Sequence, residues 1–190
     1  MNDIEINAMP SVAAMRAVFG SELVSTVRDQ LILEANPAPY EFPGKKMALL
    51  LFSARSGSTF ATQLLSKHAD FRRVTDWFLP RRLEEMRARK GYATHHQVAQ
   101  QILIGQTRTA FASKCIRESI IAAALLGILE QFRDHITFFI IDSRDKVAQA
   151  VSFHKARMSG RFHSSEAQVR TVLDEDFDFD AIHRHYRRFI

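Results

Sequence analysis

Residues 47–68 read MALLLFSARSGSTFATQLLSKH, and this stretch decides the fold. The run 47–52 is apolar throughout, which is typical of a strand buried on both faces of a parallel sheet. A polar loop follows at 53–59, and apolar side chains then recur at helical spacing between Phe60 and Leu65, which predicts an amphipathic helix. A helix that begins after such a loop directs its free N–H groups and the positive end of its dipole toward the loop. The stretch therefore predicts a strand–loop–helix unit that binds an anion.

The loop differs from the phosphate loop of nucleoside triphosphatases. That motif, GxxxxGK(S/T), needs a Lys that reaches the terminal phosphates and a hydroxyl that holds magnesium. Ser58 stands at the position of the Lys, and the cation of the loop, Arg55, precedes Gly57 instead. Two interpretations remain open at this point: a phosphate site, or an ordinary strand–turn–helix connection whose serines cap the helix.

A second motif follows a second apolar run. Residues 136–141 are again typical of a buried strand, and the string RDKVAQAVS at 144–152 comes directly after them. This motif places Arg144 at the exit of the strand and Ser152 eight residues later, inside the next predicted helix. In an open parallel sheet, ligands bind beyond the carboxyl ends of the strands, and both motifs fall at that position.

Together the two motifs resemble those of the sulfotransferase superfamily. The loop at 53–59, SARSGST, is similar to the family's 5′-phosphosulfate loop, usually written PRSG(S/T)T. The Arg and Ser of 144–152 are similar to its 3′-phosphate site, and the full string is closest to the bacterial trehalose sulfotransferase type. The resemblance covers about residues 48–190. Two departures are Ala54, in place of the usual Pro, and Phe153-His154, in place of a more typical Leu-Trp.

The resemblance implies a sulfonate donor, 3′-phosphoadenosine 5′-phosphosulfate (PAPS), whose spent form is adenosine 3′,5′-bisphosphate (PAP). The planar fork of Arg suits phosphate because it pairs with two oxygens at once. Two sets of residues would hold the donor: Arg55, Ser56, Gly57, Ser58 and Thr59 at the 5′-phosphate, and Arg144 and Ser152 at the 3′-phosphate.

The resemblance also implies three catalytic residues. Asp76, in the string DWF, stands where the family carries a catalytic Glu, so it would act as the base, and a capping Asp in a loop is the alternative. Arg55 would neutralise charge on the departing phosphate, and Lys114 matches a family Lys on the third strand. Trp77 would floor an acceptor pocket or pack in the core. His154 is a further candidate acid or base, or a histidine on the helix surface.

Composition sets the remaining limits. The 190 residues suffice for one domain with a sizeable core, and 26 basic against 21 acidic residues give a net charge of +5 without a Lys/Arg block. We expect no nucleic-acid partner. The single Cys115 cannot form an internal disulfide, and no signal pattern or membrane-spanning apolar run occurs, so a cytoplasmic protein is expected. His95 and His96 project about 100° apart on a helix, so we expect no metal site.

The chain divides into an N-terminal helical extension with a linker, 1–44, and an α/β domain, 45–190. Predicted helices at 11–19 and 21–35 end at a linker that contains Pro37 and Pro39, and their apolar face packs against the domain or against a second copy in a homodimer. The domain is predicted to be three-layered and P-loop-like, with a central, mostly parallel sheet flanked by helices. Its further elements are predicted to be a short strand with its exit over 72–78, a strand at 111–115 and helices at 80–90, 95–106 and 120–132.

The predicted function is therefore PAPS-dependent sulfonate transfer to a hydroxyl of a carbohydrate, a glycolipid or another small acceptor. The family's C-terminal part is expected to be missing from this sequence, as in a fragment or a natural short form. Two alternatives stay open: an inactive nucleotide- or phosphate-binding module of the same fold, and a P-loop kinase or NTPase, which the missing loop Lys disfavours.

Overall fold

The protein is an α/β protein with a small three-stranded parallel sheet flanked by helices, which confirms the predicted class. A computed structural model describes residues 12–162 and 169–187. The strands are β1 (Lys46–Phe52), β2 (Ala110–Cys115) and β3 (Ile136–Ile141). The helices of the described part are α1 (Val12–Phe19), α2 (Ser21–Asp29), α3 (Ser58–Leu65), α4 (Pro80–Lys90), α5 (His95–Gln106), α6 (Arg117–Leu125), α7 (Ile128–Gln131), α8 (Lys146–Ser159) and α9 (Phe179–Tyr186).

The sheet has the order β2-β1-β3, so the strand that leads into the loop is central. β1 and β2 pair in parallel from Lys46 opposite Ala110 to Leu51 opposite Cys115. The predicted strand at 72–78 is wrong, because this segment makes only an isolated parallel bridge between Thr75 and Ser113. The backbone N–H of Trp77 donates to Oγ of Ser113 instead of to a strand backbone, and the chain then turns into α4.

The chain forms two compact units. Unit 1 contains the residues up to Leu51 together with Thr59–Ile140, and unit 2 contains Phe52–Ser58 together with the residues from Ile141 onward. In unit 1, α1 and α2 pack against α6, which is one of the two roles predicted for the N-terminal extension. The second predicted helix is shorter than expected, since it ends at Asp29. Residue 11, where the first predicted helix begins, lies outside the described residues. The predicted boundary between 44 and 45 stays a prediction.

Capping residues fix several helix ends. Pro80 occupies the first turn of α4, and Gly91 ends it with a left-handed φ of 69°. Thr94 accepts a hydrogen bond from the Gln97 N–H at the start of α5. In unit 2, Asp178 accepts hydrogen bonds at the start of α9, and this helix packs against α8. The predicted helix at 120–132 is instead divided into α6 and α7, because the chain adopts a φ of 76° at Gly127.

The predicted apolar face of α3 points outward. Phe60 and Leu64 are 67% and 52% exposed, whereas Ser58 and Thr62 are buried. Successive helical residues rotate by about 100°, so the pair 58 and 62 lies opposite the pair 60 and 64. The Thr62 hydroxyl donates to the carbonyl of Thr59 at 2.9 Å, so its burial leaves no unpaired donor. The small polar face is therefore the inward one.

The prediction that β3 is buried on both faces is also wrong. Ile136 and Phe138 pack against the core, but Phe139 and Ile140 are 50% and 80% exposed. β3 lies at one edge of the sheet, where no further described strand covers it. Across the residues that the structure describes, no helix combines the length and apolar character needed to cross a bilayer.

Candidate functional site

The loop between β1 and α3 has a left-handed backbone at two positions of unit 2. Arg55 has a φ of 64° and Gly57 a φ of 84°. The N–H of Ser56 donates to the carbonyl of Ser53 at 3.3 Å, which closes a tight turn. A non-glycine residue at positive φ is uncommon, and such backbone persists only where its surroundings hold it. The contacts of the Arg55 side chain supply that support.

Arg55 links the loop to α8 within unit 2. Its Nε donates to Oγ of Ser152 at 2.9 Å, and its Nη1 donates to the carbonyl of Phe162 at 2.6 Å. A guanidinium has five N–H donors, so three remain for a ligand. The structure therefore brings together one residue from each of the two predicted phosphate motifs.

Gln149 holds the same loop from α8, and the sequence interpretation did not include it. The side chain is buried, and its Nε2 donates to the carbonyl of Ala54 at 2.6 Å and to Oγ of Ser53 at 2.8 Å. Gln149 precedes Ser152 by three residues, so both lie on one face of the helix. A polar residue at this spacing from a candidate ligand was the signal that could have identified it.

The ends of β1 and β3 also meet in unit 2. The Ser53 hydroxyl donates to Oδ1 of Asp142 at 3.3 Å. Lys146 donates a hydrogen bond to the same carboxylate, and this bond is the main reason why the pKa of Asp142 lies below its usual value. Arg144 is exposed and lines an open depression of about 500 Å³ with Tyr186 and the first residues of α8. Within the described ranges, Arg144 forms no hydrogen bond or ion pair with Arg55 or Ser152, whereas Arg55 and Ser152 are hydrogen-bonded to each other.

The donor groups of the loop fit an anion such as phosphate. Oγ of Ser56 is buried and makes no hydrogen bond within the described part of the chain, so it can donate to a bound group. Ser58, the first residue of α3, is buried, and the free N–H groups of that helix start here. A Cβ added at Gly57 would meet no atom within 4 Å, so the space beside the backbone is open there. These features fit the predicted 5′-phosphate contacts of Ser56, Gly57 and Ser58.

Asp76 is a buried carboxyl group in unit 1. It is 7% exposed, and its Oδ1 accepts no hydrogen bond from the described residues. The hydroxyl of Ser119 faces the carboxyl group, although it does not reach the geometry of a full hydrogen bond. Burial raises the pKa of Asp76 to about 6, and the positive charges of Lys114 and Arg82 oppose this rise. A carboxyl group that titrates near neutral pH suits general acid–base chemistry.

Lys114 belongs to the same group of side chains as Asp76. Partial burial lowers its pKa, the carboxylate of Asp76 raises it, and the charge of Arg82 lowers it further. Its backbone N–H donates to the carbonyl of Thr75 at 3.1 Å, which aligns it with the segment that carries Asp76. The sequence interpretation did not include Arg82, because nothing in an exposed-looking Pro-Arg-Arg helix start indicates which Arg turns inward.

Trp77 is a core residue, which answers the question that the sequence left open. It is buried, and its Nε1 donates to the carbonyl of Arg73 at 3.0 Å. The guanidinium of Arg82 lies 5.6 Å from the centre of its ring, within the range of a cation–π interaction. The indole therefore supports the charged groups near Asp76 instead of lining an open pocket.

The histidines have structural contacts. Nδ1 of His95 and Nδ1 of His96 accept hydrogen bonds from the backbone N–H groups of Ile32 and Glu34 at 2.7 and 3.1 Å. His154 is buried, with Nε2 at 2.8 Å from the carbonyl of Asp176, so the predicted surface position is wrong. Within residues 12–162 and 169–187, no three His, Cys, Asp or Glu side chains are grouped as a metal site would require.

Comparisons of this chain with protein-family models, with curated proteins and with solved structures found no match.

Proposed function

We propose that this protein is a sulfotransferase with a P-loop-like, three-layer α/β fold, which moves a sulfonate group from PAPS to a hydroxyl of a carbohydrate, a glycolipid or another small acceptor. The observation that carries the proposal is the hydrogen bond between Arg55 and Ser152. Each residue comes from one of two separate motifs that resemble the two phosphate sites of this superfamily. Their contact supports one nucleotide site built from both motifs.

The chain offers separate donor groups for the two phosphates of PAPS. The loop contributes the N–H groups of α3, the remaining guanidinium N–H groups of Arg55 and the hydroxyls of Ser56, Ser58 and Thr59 to the 5′-phosphate. Arg144 and the O–H of Ser152 contribute to the 3′-phosphate. Arg144 is exposed and has no described ion-pair partner, so its full fork remains for a phosphate.

Asp76 supplies the base that the reaction needs. Its carboxylate accepts the proton of the acceptor hydroxyl while that oxygen forms a bond to sulfur. The donor supplies the sulfonate group and leaves with the electron pair of its broken bond between sulfur and the phosphate oxygen. Arg55 carries a positive charge in the loop of unit 2, and Lys114 carries one near Asp76 in unit 1. The family resemblance assigns to both the role of stabilising the negative charge that develops in this displacement. Because the pKa of Asp76 is raised to about 6, the carboxylate predominates at neutral pH and is basic enough to accept a proton.

The alternative is a nucleotide-binding module without transfer activity. Asp76 is only 7% exposed and its side chain is one methylene shorter than the Glu of the resembled family, and both facts favour this alternative. A P-loop kinase or NTPase is the third candidate, disfavoured by the absence of a Lys in the loop.

Calorimetry with PAP, ADP and magnesium-ATP tests the proposed donor. We expect PAP to bind at least about tenfold more tightly than ADP, since only PAP carries the 3′-phosphate, and Arg144→Ala to remove that advantage. Lys155→Ala is the matched control, because Lys155 is an exposed cation on α8 outside both motifs. A preference for magnesium-ATP, or an unchanged PAP affinity in Arg144→Ala, would overturn the proposed donor site.

Transfer is tested separately with labelled PAPS. Wild-type protein and Asp76→Asn are incubated with a panel of hydroxylated acceptors, and we expect activity to fall by at least about a hundredfold in the variant, which keeps the shape but not the base. Equal activity in the two proteins would remove Asp76 from the catalytic role. PAP binding without transfer to any acceptor would favour the binding-module alternative.

A further inference from the structure

A group of positive side chains lies near Asp76 in unit 1. Asp76 is within electrostatic range of Lys114 and Arg82, and Arg82 is within range of Arg73 and Arg81. Such a group repels itself unless acidic residues or a bound anion compensate the charge. The question is therefore whether nearby acidic residues compensate the positive charge of this group without a bound anion.

The described acidic residues compensate this charge only in part. Glu85 lies 3.1 Å from Nε of Arg81, four residues along the same helix. Glu118 lies 3.5 Å from Arg117, a cation outside the group. Neither Arg73 nor Arg82 forms an ion pair with a residue of the described ranges. Two guanidinium groups thus remain available to an acceptor of hydrogen bonds.

The start of α4 adds to the positive potential. Arg81 and Arg82 occupy the first turn of this helix, where the dipole is positive and acidic residues are normally favoured. No acidic residue lies in that turn, and the residue before it, Leu79, offers no side-chain cap. This arrangement costs stability in the absence of an anion, and a bound anion would offset the cost.

Contacts with the buried Trp77 hold the guanidinium group of Arg82 and the backbone of Arg73 in place. Arg82 stacks on Trp77 with a separation of 5.6 Å, and the indole N–H bonds to the backbone of Arg73 at 3.0 Å. The backbone N–H of Trp77 donates to Oγ of Ser113 at 3.1 Å, which fixes the segment against β2. Preorganised groups of this kind lose little entropy when a ligand binds.

The arginines need an acceptor of hydrogen bonds, whereas the carboxyl group of Asp76 needs a donor. Its buried Oδ1 is without a described hydrogen-bond donor, and a buried carboxyl oxygen without a partner is costly. A ligand hydroxyl would satisfy it. The cluster of Asp76, Arg82 and Arg73 is therefore suited to a ligand that carries both a hydroxyl and an anionic group.

We propose that the acceptor of this protein is a hydroxylated molecule that also carries an anionic group, a carboxylate or a sulfate ester, with Arg82 and Arg73 binding the anion and Asp76 accepting the hydroxyl. This proposal rests on the proposed function insofar as it names the ligand an acceptor. The site itself consists of side chains of unit 1 alone, so its binding is measurable without the donor.

Three sugars with one ring and different charges test the proposal: glucuronic acid, glucose and glucosamine. Trp77 is the single Trp of the chain and lies under Arg82, so its fluorescence reports binding directly. We expect glucuronic acid to bind at least about tenfold more tightly than glucose, and glucosamine to bind more weakly than glucose. We expect Arg82→Gln and Arg73→Gln to abolish the preference for glucuronic acid.

Arg81→Gln is the matched control, because Arg81 is exposed, lies in the same helical turn and is already paired with Glu85. It should keep at least half of the wild-type preference. Thermal unfolding of each variant checks that the fold is retained, and Arg73→Gln keeps the test valid if Arg82→Gln unfolds, since Arg73 is exposed.

Equal affinities for the three sugars, no binding of any of them, or an undiminished preference in Arg82→Gln and Arg73→Gln would overturn the anionic acceptor. PAP calorimetry on the same samples separates this result from the proposed function. If glucuronic acid binds as expected and PAP does not, the anion site stands and the donor assignment is wrong. If PAP binds and the sugars do not discriminate by charge, the donor assignment stands and the acceptor proposal is wrong.

Discussion

Nε of Arg55 donates a hydrogen bond of 2.9 Å to Oγ of Ser152, although 97 positions separate the two residues in the sequence. Arg55 is exposed and has a positive φ, so its conformation depends on partners such as this one. The bond ties the conformation of the loop to the position of α8. A substitution on either side should therefore act on the same property, the shape of the loop.

Ser152→Ala should weaken PAP binding by about tenfold, because the Arg55 guanidinium loses a charge-assisted partner of roughly 1.5–3 kcal/mol. The single variants Ser152→Ala and Arg55→Gln should not add in the double variant, since they remove the same bond. Calorimetry on the four proteins of this cycle measures the coupling, and Ser25→Ala, an exposed hydroxyl on α2, is the control. Strictly additive losses would show that the bond does not shape the donor site.

Gln149→Leu should lower the free energy of unfolding by about 1–3 kcal/mol, because the variant leaves the half-buried carbonyl of Ala54 and hydroxyl of Ser53 without their donor. It should also reduce PAP affinity, since these contacts hold the loop. Urea denaturation and calorimetry measure the two effects. Gln101→Leu, at an exposed position on α5, should change the free energy of unfolding by less than about 0.5 kcal/mol. Similar small effects in both variants would contradict the role of Gln149.

Asp76→Asn should make the protein more stable at neutral pH. The folded-state pKa of Asp76 lies near 6, above its usual value of 3.8, so the folded state binds the proton more tightly and stability falls as pH rises between these values. The penalty above pH 6 is about 2–3 kcal/mol, since one pKa unit corresponds to about 1.4 kcal/mol. Urea denaturation at about pH 4 and pH 7.5 should show a stabilised variant only at the higher pH.

Ser119→Ala serves as the control for that experiment, because it changes a buried polar neighbour without removing the ionisable group. Because the Ser119 hydroxyl lowers the pKa of Asp76, this variant should be destabilised more at the higher pH, the opposite of Asp76→Asn. An Asp76→Asn variant that is destabilised equally at both pH values would show that ionisation of Asp76 does not destabilise the folded state.

Phe60→Ala should change the free energy of unfolding by less than about 0.5 kcal/mol, because the side chain is 67% exposed. Leu83→Ala, at a position with 0% exposure in α4, should lower it by about 2–5 kcal/mol. Chemical denaturation of the two variants measures both values. A loss of more than about 2 kcal/mol in Phe60→Ala would show that Phe60 is buried, as the amphipathic pattern of the sequence predicted.

Local chemistry alone determined much of this protein. Apolar runs predicted β1, β2 and β3, and a proline, a glycine and a threonine set the bounds of α4 and the start of α5. These predictions succeed because backbone sterics, the alternation of strands with helices and capping bonds act between residues that are close in the sequence. The candidate loop was predicted from its local string, whereas the roles of Asp76 and Lys114 come from the family resemblance and stay predictions.

Only the tertiary structure decided which side chains meet and which surfaces are covered. Periodicity shows that α3 has two faces, but the packing of Ser58 and Thr62 decides that Phe60 points outward. The contact of Gln149 with the loop joins residues that are far apart in the sequence. The contact of Arg82 with Trp77 could not be predicted, because the sequence does not distinguish Arg82 from its neighbour Arg81. Burial and neighbouring charge raise the pKa of Asp76, and both depend on long-range packing that no single stretch of sequence encodes.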